Sequence, residues 1–290
     1  KWELYVRSAK ERKINIVITV SNASLLSKEL GTKLTGRYQQ KELFPFNYKE
    51  FLTFKKKEAS VESFTDFFEQ GGFPEYIEEP DPDYHRTLLR DIIIRDIAVR
   101  RNLQNEKQLL RLAVHLLTNI GKEFSYNKLS KMLEIKSVRT VIDYCDYLTE
   151  SYLLDLVPMF SWSANKQLAN PKKVYAIDAA FAVSNSLSFS KDLGRRLENM
   201  VYNKLRASGN KVFYFRNNES ECDFVVVDDD VKMVIQVCWD INNDNIEREM
   251  KGLQAAMKET GAKEGIIITY NQNDHINGVD LIPAWKWILS

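Results

Sequence analysis

A chain of 290 residues with 44% hydrophobic and 28% charged side chains is ordinary globular material, long enough for about two domains, and its net charge of +1 argues neither for nor against a nucleic-acid partner. It carries no secretory signal, and no apolar run approaches the roughly 20 residues that span a bilayer. Cys145, Cys222 and Cys238 are odd in number and at no metal-like spacing, and His85, His115 and His275 are scattered, so no metal site follows from them; buried thiols in a reducing, cytoplasmic compartment fit best.

In chain order, Ile14, Ile16, Val17, Ile18 and Val20 form a β-branched run that predicts a central strand covered on both faces. It stops at Ser21 and Asn22, either of which can cap a helix from Ala23 to about Leu30, with Gly31 just beyond. Open α/β sheets place ligand contacts at the carboxyl ends of such strands. Asn22 is therefore either a ligand contact or a plain helix cap, and Arg37 either a functional cation or a surface ion-pair residue.

The run Ser21–Asn22, then Leu34, Gly36 and Arg37, then Pro45, Phe46, Glu50 and Phe51 resembles a large group of prokaryotic AAA-family ATPases. The similarity continues through GGFPEYI at 71–77 and LRDIIIRDI at 89–97 and on through the remainder. The resemblance implies a nucleotide-binding core of which residues 1–54 are the last part. Asn22 would position the attacking water and Arg37 would stabilise charge on the γ-phosphate. ATP and magnesium are the cofactors implied for the intact protein. The chain contains no Gly-Lys-Ser or Gly-Lys-Thr, and the resemblance puts the phosphate loop and the acidic magnesium pair upstream of Trp2, so this chain alone is expected not to hydrolyse ATP.

Residues 55–118 read as a helical lid and connector. Gly71, Gly72 and Pro74 mark a turn, and Pro80 and Pro82 end any helix there. Leu88, Leu89, Ile92, Ile93 and Ile97, then Leu109, Leu110, Leu112, Ala113, Leu116 and Leu117, predict two amphipathic helices.

Residues 119–183 have the outline of a winged helix. Ser125 caps a helix through Glu134 with Leu129, Met132 and Leu133 on its apolar face. A turn at Ile135 and Lys136 leads to a second helix, Ser137 to about Ser151, and strand-like pieces follow at 152–160 and 172–178. Many DNA-binding modules have this order. From 121 to 175, eight Lys and Arg oppose six Asp and Glu, a weak electrostatic footprint. Duplex binding would centre on Lys136, Arg139, Lys166, Lys172 and Lys173; the alternative is a winged helix that packs between domains.

Residues 184–290 read as αβββαβ, an order that resembles the core of restriction-endonuclease-like folds. That family holds magnesium with a helix Glu, a second-strand Asp and a third-strand acid, and a Lys two positions on orients the attacking water. The matching positions here are Glu198, Asp223, Gln236 and Cys238. Period two puts Gln236 and Cys238 on one face of their strand, so the spacing is right, but Gln236 offers a neutral carbonyl where a hard cation wants a carboxylate. The lost charge forfeits on the order of 4 kcal/mol at about 4 Å and an effective dielectric of about 20. Cys238 removes the family's cation. The residues favour a non-cleaving fold used for scaffolding or recognition. Two other readings stand: a working nuclease borrowing a cation such as Lys204 or Arg216, or a merely solvated Glu198 and Asp223.

The expectation is thus a multidomain α/β chain: a partial AAA core with helical lid, a winged helix, and a degenerate nuclease-like domain. In function it is the carboxyl-terminal part of an ATPase whose last domains recognise DNA or a protein partner, with self-association through the AAA part. The rivals are a DNA-binding regulator and an active magnesium-dependent nuclease.

Overall fold

The computed structural model describes Arg12, residues 14–19, Gln39, and residues 41–290 other than 189 and 191; Ser21, Asn22, the helix expected over 23–30 and Arg37 lie outside the described residues. The chain is mixed α/β with two sheets among the described residues. Residues 14–19 correct the expected strand: they have no strand conformation, and Ile14 and Val17 are exposed. A central strand exists only through neighbours on both sides, and 14–19 pair with neither described sheet.

The first described helix follows the Pro-Phe signature. Helix α1, Tyr48–Lys55, starts with a capping box in which the Asn47 side chain accepts from Glu50 N–H at 3.0 Å and Glu50 accepts from Asn47 N–H at 2.9 Å. The signature glutamate is therefore a cap. Phe46 N–H donates to Gly72 O at 2.7 Å, which fixes the signature against the Gly-Gly-Phe turn. Helix α2, Val61–Gln70, and α3, Pro74–Glu78, follow, and Phe64, Phe67 and Phe68 on α2 pack with Tyr48 and Phe51.

Helix α4, Tyr84–Asp91, runs into a π-helical stretch Ile92–Ala98 and a last turn Val99–Arg101; α5 is Glu106–Thr118. Leu89, Ile93 and Ile97 meet Leu109, Leu112 and Leu116 in one core, as the apolar spacing predicts. After β1, Glu123–Phe124, come α6, Tyr126–Met132, and α7, Val138–Glu150, capped by Ser125 and Ser137. Met132, expected in the core, is 46% exposed, because α6 ends there and turns it outward. Strand β2, Leu154–Pro158, the short helix α8, Ala164–Ala169, and β3, Lys172–Ala176, complete an antiparallel sheet of order β1-β3-β2.

Helix α9, Ala179–Ser184, leads to α10, Leu193–Ala207. The second sheet has order β4-β5-β6-β7-β9-β8, with β4 Lys211–Arg216, β5 Glu221–Asp228, β6 Asp230–Cys238, β7 Gly265–Thr269, β8 Asp274–Ile276 and β9 Val279–Pro283. Strands β6, β7 and β9 run parallel, and the edges are antiparallel. Helix α11, Ile246–Thr260, covers one face and α10 the other. Alternation sorts the strands: Phe224, Val226, Ile235, Ile266 and Ile268 face the α10 core, while Val225, Val234 and Ile267 face Leu253 and Ala256 of α11. Each such buried side chain contributes about 1.5–3 kcal/mol. A closing helix α12, Ala284–Trp287, seats Ala284 and Ile288 in the α10 core.

Candidate functional site

Glu198 lies on the buried side of α10, 7% exposed, and Asp223 on β5 is equally enclosed. The sequence favours a degenerate site, with a metal-holding or merely solvated pair as the alternatives; the structure puts an ammonium between the two carboxylates. Lys173 Nζ lies 3.2 Å from Glu198 Oε1, 3.1 Å from Asp223 Oδ1 and 2.7 Å from Glu221 Oε1, and its side chain is 2% exposed. This corrects the reading of Lys173 as a phosphate contact, since a buried lysine held by three carboxylates has nothing left to offer DNA. Strand alternation places it: Val174 and Ala176 point into the core of the three-stranded unit, while Lys173 and Tyr175 point at α10.

The surrounding polar atoms are satisfied. Tyr175 OH donates to Glu198 Oε1 at 2.6 Å, Val237 N–H donates to Asp223 Oδ2 at 2.9 Å, and Gln236 Oε1 accepts from Asp223 N–H at 3.2 Å. The Gln236 amide donates to Glu249 on α11, which Arg248 Nε also reaches at 3.0 Å. Gly121, at φ +70°, sits so close that a Cβ there would stand 2.9 Å from Glu198 Oε2. Asn199 holds α10 to β3: its amide accepts from Ala176 N–H at 2.8 Å and donates to Ala176 O at 2.9 Å. Tyr175, Asn199, Glu221, Glu249 and Gly121 were not singled out from the sequence. The alternation of Lys173 with Tyr175 in a strand whose other face is apolar is the signal that could have found the first of them.

Three carboxylates against one ammonium leave excess negative charge. Burial first, then the Asp223 carboxylate, push Glu198 up to about 7 against the pull of Lys173 and Tyr175. Burial alone would lower the Lys173 ammonium, but Glu198, followed by its other oxygen neighbours, holds it well above the lysine range. At about 3 Å and an effective dielectric of about 20, each contact attracts by on the order of 5 kcal/mol. Desolvation costs several kcal/mol per ion, so only the full set of contacts keeps the charge inside.

A magnesium ion needs oxygens at about 2.0–2.1 Å in an octahedron. The residues present do not fit it. The ammonium stands where the ion would bridge Glu198 and Asp223, Gln236 replaces the third carboxylate, and Cys238, pushed up to about 11 by burial and then by Glu249, is a neutral thiol. Of the two cations proposed as borrowed, Lys204 donates instead to Ser290 O at 3.2 Å, whereas Arg216 lines the cleft, pairing with Glu123 at 2.5 Å and standing 3.9 Å from Glu221 Oε2. Glu198, Glu221, Asp223, Gln236 and Cys238 line an open cleft of about 810 Å³ that also presents Arg248.

The other basic residues are not brought together with this cleft. Lys136 and Lys166 are exposed, Arg139 pairs with Asp143 at 3.0 Å, and Lys172 is half-buried with Nζ 3.5 Å from Gln167 O. Asp143 and Glu150 push Asp146 up once burial has acted, which marks α7 as an acidic helix. Asn22 and Arg37 lie outside the described residues.

A model described as an AAA domain matches residues 1–52, one described as a domain of unknown function (DUF8612) matches 61–192, and another domain of unknown function (DUF4143) matches 193–287. The chain is 32% identical to "Uncharacterized protein MJ1544" of Methanocaldococcus jannaschii, over 100% of its own length and 72% of that protein's. An "Uncharacterized protein" of Haemophilus influenzae is 26% identical over 95% of this chain and 71% of its own. No solved structure matches the chain. Among the described residues, no helix is long and apolar enough to cross a membrane.

Proposed function

This chain belongs to the family of the uncharacterized protein MJ1544 of Methanocaldococcus jannaschii, and its first residues match an AAA domain, so that it is AAA-ATPase-like; from that premise we propose that it is the recognition end of an ATP-driven machine. ATP and magnesium would be handled in the intact protein, with Asn22 and Arg37 as its sensing residues. The last two units would grip a partner and not cut it. We read residues 119–183 as a winged helix, supported by the helix order and the β1-β3-β2 sheet, and 184–290 as a restriction-endonuclease-like fold, supported by α10, the β4–β7 strands and α11.

The observation that carries the non-cleaving reading is the ammonium of Lys173 lodged between the two carboxylates that would hold the metal. Incubating the protein with single- and double-stranded DNA and magnesium or manganese tests it. No cleavage is expected. Cleavage that disappears in Asp223→Ala sinks the reading.

One specific feature favours the active nuclease as a rival: Lys173 supplies the cation that Cys238 lacks. In that case Lys173→Met abolishes cutting. For the duplex-binding rival, Lys136 and Lys166 remain available as phosphate contacts. A change of less than about tenfold in duplex affinity between about 50 and 200 mM salt would mean few such contacts exist.

A further inference from the structure

Lys173 does not belong to the unit whose carboxylates it neutralises. It stands on β3, within the stretch 61–192 matched by one family model, while Glu198, Glu221 and Asp223 stand in 193–287, matched by another. The two units are joined around it. Asn199 pairs with the backbone of Ala176, Asn203 donates to Ile177 O at 3.0 Å, Phe160 N–H donates to Tyr214 O at 2.7 Å, and Tyr175 stacks on Tyr202 with ring centroids 4.4 Å apart.

We infer that Lys173 is the resident cation of the Glu198–Glu221–Asp223 cradle, delivered by the neighbouring unit, so that docking of that unit and binding of a divalent cation by the cradle exclude one another. This rests on the non-cleaving reading above. With the ammonium in place, both inner carboxylates are engaged at hydrogen-bond distance and Gly121 closes over the far oxygen of Glu198. With it withdrawn, Glu198 and Asp223 lose the ammonium between them while Arg216 Nη1 stays 3.9 Å from Glu221 Oε2, and a hard divalent ion such as magnesium or manganese is the chemistry that answers the two inner carboxylates. Exclusion is reciprocal by linkage: whatever loosens the three-stranded unit raises cation affinity, and cation binding loosens the unit by the same factor.

The test is manganese binding to the whole chain, followed by the spin-resonance signal of free manganese. Wild type is expected to take up none at the cradle. Lys173→Met, which keeps the apolar stem and drops the charge, is expected to bind at least about tenfold more tightly than wild type, with the gain lost in Lys173→Met combined with Asp223→Asn. A folded Lys173→Met protein that binds no better than wild type overturns the inference. Should Lys173→Met fail to fold, Asn199→Ala, which loosens the hold of α10 on β3 and leaves the carboxylates in place, decides: by the same linkage it should take up manganese more tightly than wild type, and a folded Asn199→Ala protein with no gain overturns the inference. Failure of the non-cleaving reading looks different, because it appears as cut DNA, whereas failure of this inference appears as manganese held in the wild-type cradle.

Discussion

Replacing Asp178 with alanine should be among the most damaging single changes away from the apolar core. The carboxylate is 6% exposed and accepts two buried backbone donors, Phe181 N–H at the start of α9 and Gly72 N–H in the Gly-Gly-Phe turn, each at 2.8 Å. Alanine leaves both donors without an acceptor. An orphaned buried donor costs about 1–3 kcal/mol, so the pair costs about 2–6 kcal/mol, with the lost helix cap already counted in the first. At about 2–4 °C per kcal/mol for a unit of about 150–250 residues, the thermal midpoint should fall by at least about 4 °C. Circular dichroism melts of the purified chain measure this directly. Asp178→Asn, which keeps one carbonyl acceptor, should lose less than alanine. A midpoint for Asp178→Ala within about 2 °C of wild type would refute the reasoning, since the two donors would then have found water or another carbonyl at no cost.

The raised Glu198 gives a pH dependence of definite sign. Its folded value of about 7 lies above the ordinary 4.5, so its stabilising effect is complete below about 4.5 and is lost as pH rises through 7. The midpoint of wild type minus that of Glu198→Gln should accordingly fall across this window, and a difference that grows with pH contradicts the assignment. Gly252 on α11 is a close approach: a Cβ there would lie 2.2 Å from Glu221 O, in the backbone of β5. Alanine's helix propensity gains about 1 kcal/mol, but overpacking against backbone costs about 1–3 kcal/mol, so Gly252→Ala should destabilise in denaturant titrations; a stabilised variant would show that α11 can slide. All three thiols should resist iodoacetamide near neutral pH. Burial pushes Cys145 up to about 12 and Cys222 up as well, and Cys238, half-buried at the cleft, should react first as pH is raised towards 11. Mass spectrometry of the labelled chain shows the order, and early labelling of Cys145 would contradict it.

Local chemistry made much of the architecture legible. Ser125 caps the helix that follows, as expected, Ser137 opens the next, and the apolar alternation of 211–238 and the run at 265–269 became strands β4 to β7. These signals work because caps and period-two faces act within a few residues. Residues 281–289 were legible only as apolar; β8, β9 and α12 depend on pairing with β7 and on the α10 core. The strand expected at 14–20 shows the same limit, since a β-branched run needs partners before it becomes one. At the site, the sequence pointed to Glu198, Asp223 and Gln236, and the structure gathers them. It could not point to what lies between them. Lys173 is 25 residues from Glu198 and 50 from Asp223, and a lysine at that remove reads as surface charge until the two sheets are seen to share a face.

That shared face reaches further than the cradle. One continuous apolar cluster takes in Tyr48, Phe51 and Phe64 beside the Pro-Phe signature, Val157 and Tyr175 from the three-stranded sheet, and Leu197, Phe224 and Ile288 from the terminal unit. Trp239 and Tyr270, stacked at 4.0 Å just past the ends of β6 and β7, lie directly against Phe68 of α2. Severing the polypeptide at the 192/193 border would strip oil from both pieces at once, so half-molecules should aggregate more readily than the uncut chain. A pull applied at the signature would therefore reach the last helix through packed side chains.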